Sequence, residues 1–466
     1  MPSLDWIGKK AVVNHHKQVP FHLLRCNEKL SVGDAGSGNL LVQGDNLLAL
    51  KALLPYYTGQ VKCIYIDPPY NTGNESWVYN DNVNSPEMKE WLGNVVGKEA
   101  EDLSRHDKWL CMMYPRLMLA KEFLSDDGII FVSIDDNELA LLRILMDEIF
   151  HRKNLLSCFI WQTEGNFDNQ AKVKICHEYI LAYQKDSSLF PAPPIVDPNT
   201  AENSKLFRNE IRNTIVKNGP KNPVSGVHLP IGFPADFADG IIQKRSSAWP
   251  HYAENLIIKD FKLQNTVIAS SGWSSKKILL SFIDSGFEVV QDSKGQETSF
   301  VISRTGAIET VKKRSDKQSH VISVLREVGT TQQMSAILAT HGIKFDYPKP
   351  TGLIEYLISM VTGNDFIVLD FFAGSGTTAN AVINVNSRDE GIRKYILAEL
   401  DEKIIREICS KRISMAISEK NTPDVQQQGF RFCELGEPLF SADGSINKAV
   451  TFKELAHHIF FIATGE

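Results

Sequence analysis

Apolar runs of strand length alternate with helical apolar spacing between Leu40 and about Trp161. Strand patterns fall at Leu40–Val42, at 62–66 and at Ile129–Ser133, and the segments that follow them carry apolar residues at helical spacing. This alternation is typical of a mostly parallel sheet with helices packed on it. The pattern therefore predicts an α/β fold, and the alternation returns between 366 and 398.

The strand pattern at 62–66 ends in a carboxylate, two prolines and an aromatic residue, Asp67-Pro68-Pro69-Tyr70. Open α/β sheets bind ligands at the carboxyl ends of their strands. An ionised aspartate and a carbonyl flanked by proline are acceptors without neighbouring donors, which suits an exocyclic amino group. Tyr70 offers a ring face for a flat base. The same residues are compatible with an ordinary strand end, in which Asp67 caps a Pro-Pro turn and Tyr70 packs in the core.

A strand–turn–helix pattern lies roughly 300 positions later. Apolar residues lead to Asp370, and the turn Phe371-Phe372-Ala373-Gly374-Ser375-Gly376-Thr377 precedes a helical pattern. Glycines let the backbone approach a ligand closely, and free N–H groups at a helix start favour an anionic group. The next strand pattern ends at Glu399, near the spacing of about 20 residues at which an acidic residue meets ribose hydroxyls. A dehydrogenase fingerprint or a plain helix start is compatible with the same turn.

Together, the two motifs resemble the amino-group DNA methyltransferases that use S-adenosylmethionine. Their order, with Asp67–Tyr70 first and the glycine turn last, resembles the beta class, and Leu41–Asn46 and Phe345–Pro350 are similar to further segments of that family. The resemblance implies a Rossmann-like methyltransferase fold with an inserted target recognition domain. It also implies methyl transfer from S-adenosylmethionine to N6 of an adenine extruded from double-stranded DNA.

The resemblance assigns roles to the motif residues. Asp67, Pro68, Pro69 and Tyr70 form the catalytic motif that accepts the amino hydrogens and stacks on the base. The residues expected to bind the cofactor are Asp45 near its adenine, Glu399 at its ribose and, around its methionine end, Lys349, Pro350, Asp370, Phe371, Phe372, Ala373, Gly374, Ser375, Gly376 and Thr377. No covalent intermediate is required, since the amino nitrogen attacks the methyl group directly.

A finer resemblance is to the modification (Mod) subunits of type III restriction-modification systems. It is carried by Leu4–Lys10 and by Tyr70-Asn71-Thr72-Gly73-Asn74. Besides double-stranded DNA, it implies two partners: a second copy of the chain in a homodimer and a helicase-nuclease restriction subunit. Mod subunits are generally longer, and the chain stops in the apolar segment Phe460–Glu466, so a shortened C-terminal region is expected.

The net charge of −6 excludes a protein that is basic throughout, so any contact with DNA depends on local clusters of cations. Three clusters lie in the expected target recognition domain. Taken alone, each is also compatible with a solvated face. Their members are Lys244 and Arg245, Lys276 and Lys277, and Lys312, Lys313, Arg314 and Lys317.

The seven cysteines are scattered and form no Cys-x-x-Cys pair, which is typical of reduced thiols in a cytoplasmic protein. No metal site is indicated. No apolar stretch approaches the ~20 residues of a membrane span, and no signal peptide is expected.

Changes in pattern predict five segments. These are an N-terminal arm (1–38), the first half of the methyltransferase domain (39–163), the target recognition domain (164–340), the second half of the methyltransferase domain (341–420) and a C-terminal region (421–466). The long polar stretch from Asn71 to about Lys108 is expected to be a loop that closes over the site or contacts DNA.

Other functions remain open at this point. A dehydrogenase would use the glycine turn for a dinucleotide but leaves Asp67–Tyr70 unexplained. A cytosine-N4 or protein-glutamine methyltransferase shares the chemistry, although enzymes of these kinds more often carry Ser or Asn at the position of Asp67. An adenine methyltransferase without a restriction partner has the same motifs. A non-catalytic DNA-binding subunit is opposed by the joint presence of Asp67, Tyr70 and Gly374.

Overall fold

A computed structural model describes residues 3–72, 98–163, 172–195, 210–313, 319–419, 429–441 and 444–464, together with residues 197, 200 and 204. The chain divides into two compact units. Unit 1 comprises Met1–Asn199 and Val321–Glu466, and unit 2 comprises Thr200–His320.

Unit 1 is built on one sheet, to which eleven strands of the described ranges belong. Their bounds are β1 His22–Cys26, β2 Val32–Gly33, β3 Leu40–Gln43, β4 Val61–Ile66, β5 Leu124–Ile134, β6 Leu155–Gln162, β7 His177–Gln184, β18 Val324–Leu325, β19 Ile367–Asp370, β20 Lys394–Glu399 and β21 Gly429–Pro438. Across the sheet the order is β1-β21-β3-β20-β19-β4-β5-β7-β6-β18, with β2 paired to β21.

The six strands from β21 to β5 run parallel, and β7 then pairs antiparallel with β5 and with β6. The central strands are buried on both faces, as parallel strands between helical layers must be. In β4, for example, both Ile64 and the oppositely directed Tyr65 are buried. The predicted α/β fold with a mostly parallel sheet is confirmed.

Helices cover both faces of this sheet. Those of unit 1 are α1 Lys9–Val12, α2 His15–Gln18, α3 Asn46–Tyr57, α4 Lys98–Phe123, α5 Leu139–Met146, α7 Thr331–Thr340, α8 Thr351–Ser359, α9 Thr377–Asp389, α10 Ser410–Ser418 and α11 Phe452–Thr464. Short helical turns lie at Ala35–Ser37, Asp147–His151, Arg152–Asn154 and Ile404–Cys409. One hydrophobic core joins α3, α4 and α5 to one face, and a second joins α8, α9 and α10 to the other.

Both chain ends belong to the sheet of unit 1. The expected N-terminal arm contributes β1 and β2, which pair with β21 of the expected separate C-terminal region. Cys26 and Cys433 lie directly opposite each other on β1 and β21 and form a disulfide, so the expectation of reduced thiols is wrong for these two. The other five cysteines are free. No local sequence motif predicts the disulfide, because its two cysteines come together only through the pairing of β1 with β21.

Two expected boundaries differ from the structure. Unit 2 is shorter than the segment 164–340, because β7 and β18 pair within the central sheet and α7 also belongs to unit 1. The expected loop between Asn71 and Lys108 is helical from Lys98 onward, while residues 73–97 lie outside the described ranges.

Unit 2 contains short antiparallel strands arranged in small sheets. Their bounds are β8 Glu210–Thr214, β9 Ser225–Leu229, β10 Gly240–Ile242, β11 His251–Tyr252, β12 Leu256–Lys259, β13 Lys262–Leu263, β14 Val267–Ser271, β15 Val290–Gln291, β16 Glu297–Ile302 and β17 Ile308–Lys313, with helix α6 at Lys276–Asp284. The sheet orders are β10-β12-β13, β11-β14-β9 and β15-β16-β17-β8. Phe233, Phe282 and Phe300 lie in its own hydrophobic core.

Within the described part of the chain, no helix is both long enough and apolar enough to cross a membrane.

Candidate active site

The predicted site residues meet at one edge of the sheet of unit 1. Asp67 follows β4, Asp370 ends the neighbouring β19, and Glu399 ends the next strand, β20. Because these strands are parallel, their carboxyl ends lie side by side even though the residues are distant in sequence. Two halves of the chain are thereby brought to one place.

A cavity of about 210 Å³ lies at this edge. Of the predicted residues, Asp67, Lys349, Asp370, Phe372, Ala373, Gly374, Ser375 and Thr377 line it. Its remaining walls are Tyr65, Phe345, Asp346, Tyr347, Pro348 and Thr378. Eight predicted residues are not in its lining: Asp45, Pro68, Pro69, Tyr70, Pro350, Phe371, Gly376 and Glu399.

The glycine turn requires its glycines. Gly374 and Gly376 have φ angles of 49° and 80°, in the left-handed region that side chains disfavour. A Cβ on Gly376 would lie 2.9 Å from the sulfur of Cys409. The turn is therefore held close against the helical segment that follows β20.

The carboxyl group of Asp370 holds the start of this turn. Its Oδ1 accepts a hydrogen bond from the Phe372 amide at 3.0 Å, and its Oδ2 accepts one from the Thr378 hydroxyl at 2.5 Å. Burial raises the pKa of Asp370 to about 7. Both carboxyl oxygens thus have donors, although the residue is only 2% exposed.

Glu399 and Asp45 bind backbone amides. Glu399 Oε2 accepts from the Gly374 amide at 2.8 Å, and Oε1 accepts from the Asp401 amide at 3.1 Å. Asp45 caps α3 by accepting from Leu47 and Leu48, as side chains at helix starts do. Asp45 also lies 3.2 Å from the buried guanidinium of Arg116.

The catalytic motif contacts a charged network. Lys349 Nζ lies 3.0 Å from Asp67 Oδ1 and 3.2 Å from Glu178 Oε2. The Tyr70 hydroxyl donates to the same Glu178 oxygen at 2.8 Å. Lys349 Nζ also lies 4.7 Å from the centre of the Tyr70 ring, a distance at which a cation is attracted to an aromatic face. The Trp109 indole N–H donates a hydrogen bond to the Pro69 carbonyl at 2.7 Å and so restrains the backbone of the motif.

Burial and charge set the protonation of this network. Burial raises the pKa of Asp67 above its ordinary value, although the Lys349 ammonium opposes the rise. Burial alone would lower the pKa of Lys349, but Asp67 and Glu178 outweigh it and hold that pKa above its usual range. Lys349 is therefore a buried cation compensated by two carboxylates.

Tyr65 and Thr378 of the cavity lining were not predicted, and neither were Glu178 and Arg412, which contact lining residues. Glu178 is the second residue of β7, whose antiparallel pairing with β5 brings it to the same edge as Asp67. Arg412 of α10 is 3% exposed and donates to the hydroxyls of Ser375, Thr377 and Thr351 at 2.7, 2.8 and 2.9 Å. A charged residue near the start of a strand and an arginine on a helix are ordinary patterns, so the sequence alone carries no signal for Glu178 or Arg412.

The predicted DNA-contacting cations fall into two groups. Arg245 donates to the carbonyls of Trp249, Pro250, Thr305 and Gly306, Lys276 to the Ser225 hydroxyl, and Lys312 to Asp292. By contrast, Lys244, Lys277 and Lys313 are exposed. Arg314 and Lys317 lie outside the described residues. Three cations of unit 2 thus hold the fold together, and three face solvent.

In the ranges that the structure describes, no group of three or more His, Cys, Asp or Glu side chains could hold a metal ion.

Comparison with known proteins identifies the family of this chain. A family model described as DNA methylase matches residues 61–410. The Mod subunit of the type III restriction-modification enzyme EcoPI from Escherichia phage P1 is 31% identical across 98% of this chain and 74% of its own length. The EcoP15I Mod subunit from Escherichia coli is 28% identical, again across 98% of this chain and 74% of its own.

Among solved structures, the cytosine-N4-specific PvuII DNA methyltransferase has a TM-score of 0.37 at 12% identity, covering 84% of this chain and 94% of that one. The family model and the EcoPI relative define the class. The chain belongs to the DNA methylase family, a class of S-adenosylmethionine-dependent methyltransferases. Its group within that family is the Mod subunits of type III restriction-modification enzymes.

The residues of the cavity fit the cofactor of this family. S-adenosylmethionine carries a carboxylate, an ammonium group and a sulfonium. The cavity offers the Asp370 carboxyl, the Ser375 and Thr377 hydroxyls, and the rings of Phe345 and Phe372. Donors, acceptors and apolar surface are thus all present for the methionine end of the cofactor.

Proposed function

We propose that this chain methylates N6 of an adenine extruded from double-stranded DNA, with S-adenosylmethionine as methyl donor. The observation that carries the proposal is the shared cavity, in which Asp67 from the first half of unit 1 lines one space with Asp370, Gly374 and Thr377 from the second half. A methyl donor and its acceptor must come within bonding distance, so the residues for both have to meet.

The catalytic motif would act on the base by positioning. Extrusion of the adenine takes a few kcal/mol, and stacking on Tyr70 recovers part of it. The Asp67 carboxylate and the Pro68 carbonyl accept the two amino hydrogens, which turns the N6 lone pair out of conjugation and toward the methyl group. The bound cofactor supplies an electrophilic sulfonium methyl. Asp67 then stabilises the positive charge that develops on nitrogen.

The raised pKa of Asp67 supports a second role. N6 loses one proton after it has gained the methyl group, and a carboxylate whose pKa is raised by burial is a better acceptor for that proton. No cysteine takes part. Lys349 favours the ionised form of Asp67 by opposing the effect of burial on its pKa.

The cofactor would bind along the sheet edge. A cavity of about 210 Å³ holds only part of such a ligand, because small-molecule sites usually measure roughly 300–1,000 Å³. We place the methionine end in the cavity against Asp370 and Ser375. The ribose would lie toward Glu399 and the adenine toward Asp45, where β20 and β3 end.

We assign DNA recognition to unit 2. Residues 200–320 carry 17 Lys and Arg against 12 Asp and Glu, a net charge of +5, whereas the rest of the chain carries 33 against 44, a net charge of −11. Phosphate contacts supply most of the affinity for DNA, so a basic unit on an acidic chain is the natural place for them. The exposed Lys244, Lys277 and Lys313 are the candidates.

The family relationship supports two protein partners. Relatives that match across nearly the whole chain are Mod subunits of type III restriction-modification enzymes, so we propose a helicase-nuclease restriction subunit as a partner. We also propose a homodimer as the working form. Light scattering of the purified chain gives its oligomeric state. Co-purification with a restriction subunit encoded beside it tests the partner.

A direct assay tests the proposed reaction. The purified chain is incubated with plasmid DNA and S-adenosylmethionine carrying a tritiated methyl group, and the DNA is digested to nucleosides for mass spectrometry. N6-methyladenine is expected, and long-read sequencing of the product then gives the recognition sequence. N4-methylcytosine as the only product, or no labelled DNA, would overturn the proposal.

A further inference from the structure

The Glu178 side chain contacts both Tyr70 and Lys349. Its Oε2 accepts from the Tyr70 hydroxyl at 2.8 Å and lies 3.2 Å from Lys349 Nζ. The same ammonium reaches Asp67 at 3.0 Å. Base platform, cation and catalytic carboxylate are thus joined in a single chain of contacts.

The neighbouring strand pairing fixes this arrangement. Glu178 stands at the start of β7, and the adjacent Tyr179 pairs with Ile134 at the end of β5, beside the strand that carries Asp67. The position is therefore set by the sheet and not by a loop. The Glu178 side chain is 24% exposed and that of Lys349 is 8% exposed, so the contact lies at the boundary between cavity and protein interior.

We propose that Glu178 is a positioning residue for methyl transfer: it orients the Tyr70 ring for the base and draws part of the Lys349 charge away from Asp67. The inference rests on the proposed function of Asp67 and Tyr70. Its first effect is geometric, because a phenol held by a strand residue has a fixed ring plane. Its second effect is electrostatic, because one ammonium is shared by two carboxylates.

The electrostatic effect predicts the direction in which the pH profile of kcat shifts when Glu178 loses its charge. Glu178 raises the pKa of Asp67 and also raises the pKa of Lys349. Methyl transfer requires Asp67 to be ionised, which sets the acid limb of the pH profile. It also requires Lys349 to be charged, which sets the alkaline limb. Removing the charge of Glu178 lowers both pKa values, so both limbs of the pH profile of kcat move to lower pH. The titratable groups that bear on the pKa of Asp67 are Lys349, Glu178 and Tyr70, and Asp67 in turn raises the pKa values of Tyr65 and Asp370.

The test compares three variants of the full chain in methyl transfer to DNA. Glu178→Gln keeps an acceptor for the Tyr70 hydroxyl but removes the charge, so both limbs shift down with a loss in kcat of about tenfold or less. Glu178→Ala removes charge and acceptor and is expected to lose about 10- to 100-fold, as when a catalytic group is displaced. Tyr70→Phe keeps the ring and removes only the hydroxyl, so it reproduces the geometric part of the loss. It does not move both limbs to lower pH, because the Tyr70 hydroxyl lowers the pKa of Asp67 and its removal shifts the acid limb the other way.

Cofactor binding and thermal unfolding of each variant show that it is folded. A loss of activity with both limbs unmoved in Glu178→Gln, or wild-type activity in Glu178→Ala, would overturn the inference while the proposed function stands. If the wild-type chain itself transfers no methyl group to DNA, the proposed function fails and this inference fails with it.

Discussion

Unit 1 holds the proposed methyl-transfer site and carries a net charge of −11, whereas unit 2 contributes no residue to its cavity and carries +5. An acidic surface repels phosphate, and a basic one attracts it. The difference indicates that chemistry and DNA affinity are assigned to separate parts of the chain. Substitutions in unit 1 should then change turnover or cofactor binding, and substitutions in unit 2 should change the affinity for DNA.

Asp67→Ala should break the chemistry of unit 1 most completely. The variant loses the acceptor that turns the N6 lone pair and stabilises the developing charge, so kcat should fall by at least about 100- to 1,000-fold. Tritiated-methyl transfer measures the loss, and fluorescence anisotropy with labelled duplex measures the affinity for DNA, which should be largely retained. Turnover at the wild-type rate in this variant would contradict the catalytic role assigned to Asp67.

Gly376→Ala should weaken cofactor binding. Its φ of 80° strains any side chain, and the new Cβ would lie 2.9 Å from the Cys409 sulfur, so the glycine turn must shift. Strain of about 1–3 kcal/mol corresponds to a roughly 5- to 150-fold weaker Kd for S-adenosylmethionine if it is relieved by moving the turn. Calorimetric titration with the cofactor measures this change.

Gly59→Ala is the matched control for that prediction. Gly59 also lies in unit 1 with a positive φ, 67°, but nothing lies within 4 Å of the position its Cβ would take. It therefore carries the backbone strain without the contact at the site. Equal losses of cofactor affinity in the two variants would show that the effect is general destabilisation and not a displaced glycine turn.

The same two units differ in what their sequences reveal. In unit 1, Asp67, Tyr70 and Gly374 could be proposed from the sequence because their residue types follow predicted strand ends, where open α/β sheets bind ligands, and the structure places Asp67 and Gly374 in one cavity. Glu178 could not, because it reaches the site only through the antiparallel register of β7 with β5. The disulfide between Cys26 and Cys433 escaped prediction for the same reason, since strand pairing between the two chain ends creates it.

In unit 2, clusters of cations could be found from the sequence, but their contacts could not. Lys276 and Lys277 are adjacent and chemically identical, yet one bonds to Ser225 and the other faces solvent. Helical geometry directs neighbouring side chains about 100° apart, so only the fold decides which cation is available. Composition therefore identifies the basic region, and the structure shows which of its Lys and Arg side chains are exposed and which are bonded within the fold.

The distinction between exposed and bonded cations in unit 2 leads to a prediction about DNA binding. Replacing the exposed Lys244, Lys277 and Lys313 with Ala should weaken DNA binding, and each lost phosphate contact should lower the slope of log K against log salt by about 1. The kcat at saturating DNA should stay at the wild-type value, because none of these residues lines the catalytic cavity. Anisotropy titrations at several salt concentrations measure the slope.

Lys276→Ala separates this prediction from a simple loss of positive charge. It removes one charge from the same helix as Lys277→Ala, but from a side chain that already bonds to Ser225 at 2.8 Å. If exposed cations make the phosphate contacts, Lys277→Ala lowers the salt slope and Lys276→Ala leaves it unchanged. Equal slopes in the two single variants would mean that unit 2 attracts DNA by its net field alone, because a field depends on the number of charges and not on which of them is free to touch a phosphate.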